Sequence, residues 1–153
     1  NIRYGEKNAT LREITHAAEI AQAIEFISKM ADGFNAHVAQ GGTNLSGGQI
    51  QRLSIARALV RQPEIYIFDD AFSALDFKTD AKLRSALKQE TQNSTTIIVA
   101  QRVSTVMDAD QIIVLDNGQI VGLGTHKQLL QTCRVYKDIV SSQLSAAEIK
   151  ESL

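Results

Sequence analysis

Cysteine, tryptophan and long hydrophobic runs are scarce or missing in this sequence, and each absence excludes a class of protein. The one cysteine, Cys133, can form no internal disulfide and has no partner at metal-ligand spacing. We therefore expect a reducing, cytosolic environment. The longest apolar runs, such as residues 97–100 and 112–115, fall far short of the ~20 residues that a membrane-spanning helix needs.

Charge of either sign is also not in excess. Lysine and arginine number 16 and aspartate and glutamate 17, so the formal net charge is -1. This balance argues against nucleic acid or an acidic membrane surface as the main partner. Hydrophobic residues at 44% and charged residues at 22% are typical of a globular domain rather than a disordered chain. The chain opens at Asn1 in a polar stretch, and we expect it to be a piece of a longer protein.

The spacing of apolar residues predicts a succession of helices and strands. Helices are predicted over residues 11–27, 46–61, 78–91, 125–131 and 134–144. Residues 31–44 contain several glycines and are predicted to be loop.

Short apolar runs predict the strands. Residues 65–68 and 95–100 are predicted as buried strands, and residues 111–115 and 119–123 as a hairpin. The hairpin is indicated by Asn117-Gly118, the preferred pair for a tight turn. Strands that alternate with helices predict an α/β fold with a mixed, mostly parallel sheet, a C-terminal hairpin and C-terminal helices.

The first candidate site is Leu45-Ser46-Gly47-Gly48-Gln49. Its simplest interpretation is a helix start, in which Ser46 and Gln49 form a capping box. A cap does not need two glycines in the first turn, where each costs roughly 1 kcal/mol relative to alanine. Accessible amides at the positive end of a helix are suited to an anion such as a phosphate. Both interpretations stay open from the residues alone.

The second candidate site is the pair Asp69-Asp70, which follows a predicted strand. The carboxyl ends of parallel strands are where open α/β sheets bind ligands, and a carboxylate there could hold Mg²⁺. The alternative is a turn in which Asp70 caps the next segment. Gln101, which follows the next predicted strand, is by itself most simply a loop residue.

A phosphate-binding loop of the form Gly-x-x-x-x-Gly-Lys-Ser/Thr is missing from the sequence. Gly42 and Gly47 have the glycine spacing, but Gly48 and Gln49 follow where lysine and serine or threonine are needed. The chain thus contains part of the chemistry of a nucleotide site without the loop that cradles the phosphates.

Taken together, these residues resemble the ABC ATPase family over nearly the whole chain. Residues 44–59, NLSGGQIQRLSIARAL, resemble the family's signature motif and the helix behind it. Residues 65–76, IYIFDDAFSALD, are similar to a Walker B strand and D-loop. Residues 97–106, IIVAQRVSTV, resemble the switch segment, and residues 122–130, GLGTHKQLL, the tail of exporter-type domains.

The resemblance implies a division of the chain and a role for each motif. Residues 1–62 would form a helical subdomain with the signature motif, and residues 63–153 the C-terminal part of the ATPase core. The Walker A region, the adenine-stacking aromatic residue and the Q-loop are expected upstream of residue 1.

The resemblance also implies roles for individual residues at an ATP site shared by two domains. Residues 45–49 would contact the γ-phosphate of ATP held by a second ABC ATPase domain. Asp69 matches the Walker B aspartate that supports Mg²⁺. Ser73 and Asp76 lie in the segment that matches the D-loop at the dimer interface.

Two residues depart from the family pattern. Asp70 stands where the catalytic glutamate is usual, and Gln101 stands where the switch histidine is usual. Aspartate is shorter by one methylene, about 1.5 Å, and glutamine cannot become an imidazolium. The pattern resembles the degenerate half of a heterodimeric exporter, with a weakened ATP site of its own and an intact signature that completes the partner's site.

The resemblance implies an exporter at the cytoplasmic face of the cell membrane, working with a transmembrane domain and with no nucleic acid. A DNA-repair or chromosome-type ABC ATPase is the first alternative, but it would need long coiled-coil heptads, which the sequence lacks. A regulatory ABC module without transport is the second. The exporter-like tail argues against both. The isolated chain is expected to bind little ATP.

Overall fold

The computed structural model describes residues 1–151, which fall into two compact units. The first unit covers Asn1–Val99, and the second begins at Ala100. This division follows packing, whereas the predicted boundary between residues 62 and 63 follows the motifs and stays a prediction. No described helix is both long enough and apolar enough to span a membrane.

The first unit contains four helices and two strands. The helices are α1 (Leu11–Ile20), α2 (Ile24–Ile27), α3 (Gly47–Leu59) and α4 (Phe77–Glu90). The strands are β1 (Ile65–Asp69) and β2 (Thr95–Val99). Three short 3-10 turns occur at Ile2–Tyr4, Gly33–Asn35 and Gln40–Gly42.

The prediction of one helix over residues 11–27 is wrong, because the chain breaks between α1 and α2. Gln22 takes a left-handed conformation with φ 55°, and the Ala23 amide donates to the Ala18 carbonyl at 2.7 Å. Ile14, Ala17 and Ala18 of α1 are still buried in the same core as Phe26 and Ile27 of α2. The regular apolar spacing over residues 11–27 therefore arises because both helices contribute to the same core, and it does not indicate a single helix.

The strands β1 and β2 pair in parallel, with Ile65 opposite Thr95 and Asp69 opposite Val99. On β1 the rings of Tyr66 and Phe68 are buried, whereas Ile67 is 68% exposed. Most of β2 is also exposed. The predicted burial of the two strands is therefore only partial within this chain, where one face of the pair is uncovered.

Over its described residues, 100–151, the second unit contains a hairpin and four helices. The hairpin joins β3 (Ile112–Asp116) and β4 (Gln119–Gly124), and the helices are α5 (Val103–Val106), α6 (His126–Thr132), α7 (Arg134–Gln143) and α8 (Ala146–Glu151). The predicted turn is confirmed, because Asn117 and Gly118 both have positive φ, 48° and 77°.

The α/β class is confirmed, but the strands do not form one mixed sheet. Among the described residues, β1 and β2 make a parallel pair and β3 and β4 a separate antiparallel pair. A two-stranded sheet is only marginally stable alone, so each pair depends on the helices packed against it. In the first unit the buried rings of β1 join the helical core, and in the second the core includes Leu129, Cys133 and Val140.

A buried histidine–tyrosine pair links α6 to α7 in the second unit. The Nδ1 atom of His126 lies 2.7 Å from the hydroxyl oxygen of Tyr136, and the two rings meet edge to face. Burial lowers the pKa of His126, and the charge of Asp108 opposes this shift. Burial also raises the pKa of Tyr136. The pair is therefore favoured in its neutral form and contributes a hydrogen bond to the core.

Candidate functional site

The first candidate site forms the N-terminus of α3. The amide of Gln49 donates to Ser46 Oγ at 3.3 Å, and the Ser46 amide donates to Gln49 Oε1 at 2.9 Å. The predicted capping box is therefore present. Leu45 is half-buried against the core and precedes the cap. The helix geometry leaves the amides of Gly47 and Gly48 without an intrahelical acceptor, as an anion site requires.

One of the two glycines also has a packing role that was not predicted. A Cβ on Gly48 would lie 3.0 Å from the carbonyl oxygen of Ala74, tighter than nine in ten real Cβ contacts. A Cβ on Gly47 would lie 3.6 Å from the Ala74 Cβ, an ordinary contact distance. Gly48 is therefore needed for the close approach of the segment after β1, whereas Gly47 has room for a side chain.

The segment Asp70–Ala74, which follows β1, makes a tight turn against α3. Asp70 has φ 48°, a left-handed conformation that aspartate adopts more readily than most residues. Its amide donates to the Val99 carbonyl at 3.0 Å, and its carbonyl accepts from Ser73 Oγ at 3.0 Å. The side chains of Asp70 and Ser73 are exposed.

Gln51 joins α3 to this segment and was missed by the sequence analysis. Its Nε2 donates to the Asp70 carbonyl at 3.2 Å and to Ser73 Oγ at 3.0 Å. Its Oε1 accepts from the Ala74 amide at 3.0 Å. No local pattern could have indicated Gln51, because its partners lie 19 to 23 residues away.

Arg52, the next residue along α3, was also missed. Its Nη1 donates to the Gln22 carbonyl at 2.7 Å, and its Nε donates to the Gly48 carbonyl at 3.2 Å. The guanidinium also lies 4.8 Å from the centre of the Phe26 ring. Arg52 thus ties the break between α1 and α2 to the first turn of α3, and partial burial lowers its pKa.

Asp76 caps the next helix. Its Oδ1 accepts from the Thr79 amide at 2.9 Å and its Oδ2 from the Thr79 hydroxyl at 2.7 Å. The hydrogen bond from the Thr79 amide is the main cause that lowers the pKa of Asp76. Asp70 was the alternative candidate for a cap of the following segment, but the cap of α4 is Asp76. A contact between Asp76 and nucleotide stays a prediction.

Asp69 ends β1 with an exposed carboxylate beside Asp70. Residues 1–151 contain no group of three His, Cys, Asp or Glu side chains that could enclose a metal ion. Mg²⁺ is usually bound through one or two carboxylates together with phosphates and water. A single carboxylate at this strand end therefore fits Mg²⁺ only as one of several ligands, the others being a nucleotide and water.

Gln101 lies in the second unit, and its side chain is exposed. Its carbonyl accepts from Gln143 Nε2 at 2.8 Å, and the Val103 amide donates to Gln143 Oε1 at 2.9 Å. Gln143 on α7 therefore fixes the backbone on both sides of Arg102. The structure brings residues 45–49 together with the segment after β1 in the first unit, and Gln101 is described apart from them.

The chain is similar in sequence to ATP-binding proteins and subunits. A family model described as "ABC transporter" matches residues 4–73. An uncharacterised ABC transporter ATP-binding protein of Mycobacterium tuberculosis is 49% identical over 152 residues, covering 97% of this chain and 26% of that protein. The mitochondrial potassium channel ATP-binding subunit of Mus musculus is 43% identical over 149 residues, covering 97% of this chain and 21% of that protein.

A solved structure matches the fold over most of the chain. The structure of a bacterial Atm1-family ABC exporter with ATP bound has a TM-score of 0.89 and 38% identity, covering 92% of this chain. The match takes in 25% of the exporter chain, so the present chain spans about a quarter of the length of that protein and of the curated relatives from Mycobacterium.

Proposed function

We propose that this chain forms part of an ABC transporter ATP-binding domain of the exporter type, to which it is similar over nearly its whole length, and that it couples ATP binding and hydrolysis to the export of a substrate across a membrane. It does so as part of a longer protein, together with a transmembrane domain and a second ATP-binding domain. The observation that carries the proposal is the N-terminus of α3, where Gly47 and Gly48 are exposed or half-buried and present amides that have no intrahelical acceptor.

In this proposal the N-terminus of α3 contacts the γ-phosphate of ATP that the second domain holds. The amides of Gly47 and Gly48 donate to phosphate oxygens, and the positive end of the helix dipole stabilises their charge. Ser46 Oγ already accepts from the Gln49 amide, so its own proton stays available for a phosphate oxygen. These donors complete the partner's site and leave the other phosphate contacts to the partner.

The other candidate residues serve the ATP site on the chain's own side. Asp69 would hold Mg²⁺ through one carboxylate oxygen, and the bound ion would neutralise charge on the phosphates. Asp70 stands in the position of the base that orients the attacking water, and Gln101 in that of the switch residue. Because aspartate is short and glutamine cannot carry a positive charge, this site hydrolyses ATP slowly. A chain with one weakened site of this kind is suited to a partner domain that is not identical to it.

This function places the chain at the cytoplasmic face of the cell membrane, where ATP is available. ATP binding draws the two domains together, and hydrolysis with release of product lets them separate.

ATP binding by the chain alone and by the complete protein tests the proposal. Residues 1–153 lack the lysine-containing phosphate loop, so calorimetry is expected to detect no micromolar binding of ATP with Mg²⁺. The complete protein in lipid vesicles is expected to bind and hydrolyse ATP. Micromolar affinity of the isolated chain, or absence of hydrolysis in the complete protein, would contradict the proposal.

A further inference from the structure

The side-chain amide of Gln51 joins two surfaces that serve different nucleotides under the proposed function. One is the N-terminus of α3, which faces the partner's ATP, and the other is the segment Asp70–Ala74, which follows the chain's own Asp69. Gln51 makes three hydrogen bonds across this boundary, at 3.0 to 3.2 Å. They use both Nε2 and Oε1, so the orientation of the amide is defined from both ends.

The packing around Gln51 also brings α3 and the segment Asp70–Ala74 into close contact. The missing side chain of Gly48 lets the Ala74 carbonyl approach α3 to a distance that a Cβ would not permit without a shift. Asp70 holds a left-handed backbone conformation at the start of the same segment. Its carbonyl accepts from both Gln51 and Ser73, so the conformation of the turn depends on contacts with α3.

We propose that Gln51 is a positioning residue that makes the N-terminus of α3 and the segment Asp70–Ala74 move as one body. This inference rests on the proposed function, because it concerns how one ATP site of the dimer reports its state to the other. When the partner's phosphate draws in Gly47 and Gly48, Gln51 transmits the displacement to Asp70. Gln51 itself touches no nucleotide.

Gln51→Met in the complete protein tests the inference. Methionine has a similar length and packs in the same space but can neither donate to Asp70 nor accept from Ala74. Hydrolysis of ATP at the chain's own site, measured with the partner's catalytic residue disabled, is expected to slow by roughly tenfold to 10²-fold, as for a misplacement of about 1 Å. The affinity for ATP, measured without hydrolysis, is expected to stay unchanged, because the binding groups are retained.

A second readout locates the change. The Ala74 amide loses its acceptor in the variant, so its hydrogen exchange is expected to accelerate while α3 stays protected. Ser54→Ala is the matched control, since Ser54 lies on the same helix and donates only to the Ile50 carbonyl. The control is expected to retain both the rate of hydrolysis and the protection of Ala74.

Adding Ser73→Ala to Gln51→Met is expected to slow hydrolysis little further, because the two residues act through one network. Unchanged hydrolysis in Gln51→Met, or unchanged exchange at Ala74, would overturn the inference. If Gln51→Met does not fold, Gln51→Glu is read through the rate of hydrolysis alone, because it keeps the acceptor for Ala74 and loses the donor to Asp70 and Ser73.

The outcome separates this inference from the proposed function. If Gly47→Asp leaves hydrolysis intact, the proposed function fails together with its consequence for Gln51. If Gly47→Asp abolishes hydrolysis and Gln51→Met does not slow it, the function stands and the role of Gln51 is excluded.

Discussion

Gly47→Asp is expected to slow ATP hydrolysis by the complete protein about 10²-fold or more while leaving the domain folded. The backbone amide is retained, but the new carboxylate lies beside it and repels the phosphate, so the hydrogen bonds from this helix end to the phosphate are lost. Loss of one such preorganised donor contact typically lowers the rate by about this factor. The change is sterically allowed, because a Cβ at this position meets the Ala74 Cβ at 3.6 Å.

The same substitution is expected to stabilise the helix itself. A negative charge in the first turn interacts favourably with the helix dipole, by about 0.3–1 kcal/mol. Loss of the glycine adds a further ~0.5–1 kcal/mol, because its backbone is the most flexible in the unfolded chain. Hydrolysis and stability should therefore change in opposite directions, which a disrupted fold cannot produce.

Gly47→Asn is the matched control, since asparagine has the shape of aspartate without its charge. The rate of ATP hydrolysis and the thermal unfolding temperature of both variants give the comparison. The account expects Gly47→Asn to retain much more activity than Gly47→Asp. An equal loss of activity in the two variants would show that the size of the side chain causes the effect. Full activity in Gly47→Asp would show that this helix end does not contact the phosphate.

Asp70→Glu combined with Gln101→His is expected to raise ATP turnover at the chain's own site by about 10²-fold. The first change restores the reach of the carboxylate, for which ~1 Å of misplacement can cost about 10²-fold in rate. The second restores a side chain that can carry a positive charge near neutral pH. The measurement is the hydrolysis rate of the complete protein with the partner's catalytic residue disabled.

Asp70→Glu alone and Gln101→His alone are the controls for this pair. The left-handed backbone at Asp70 tolerates aspartate better than glutamate, so Asp70→Glu is expected to lower the unfolding temperature slightly. A partial gain from each change and a larger gain from both would support a weakened site. An unchanged rate in the double variant would show that these two residues do not limit hydrolysis.

The helix start at Ser46 and the hairpin at Asn117-Gly118 could be predicted because their signals are local. Ser46 and Gln49 are three residues apart, and their reciprocal hydrogen bonds need no other part of the chain. Asn117 and Gly118 tolerate the positive φ that the turn requires. Here the sequence pattern and the physical interaction coincide.

The break at Gln22 and the joint at Gln51 could not be predicted because distant residues create them. Arg52 binds the Gln22 carbonyl across 30 residues of sequence, while the apolar spacing continues through the break. In the sequence Gln51 is one of several polar residues on a predicted helix. Its role is visible only in the structure, where the segment after β1 packs against it. Glycine was also interpreted too narrowly, because Gly48 permits packing as well as access to an anion.

The extent to which β1 and β2 are buried could not be predicted from the apolar spacing, because a run of consecutive apolar residues indicates only a buried strand. Within this chain only the side of Tyr66 and Phe68 is covered, and Ile65 and Ile67 are exposed. The apolar run describes the environment of the strand in its folded context, which need not be provided by this segment alone.

The central claim is that the N-terminus of α3 contacts ATP held by another domain. A structure of the complete assembly with ATP bound tests it most directly, through the distance from the amide nitrogens of Gly47 and Gly48 to the nearest phosphate oxygen. The account predicts hydrogen bonds of about 2.7–3.2 Å to a nucleotide whose other phosphate contacts come from the second domain. Amides remote from every phosphate in that closed state would contradict it.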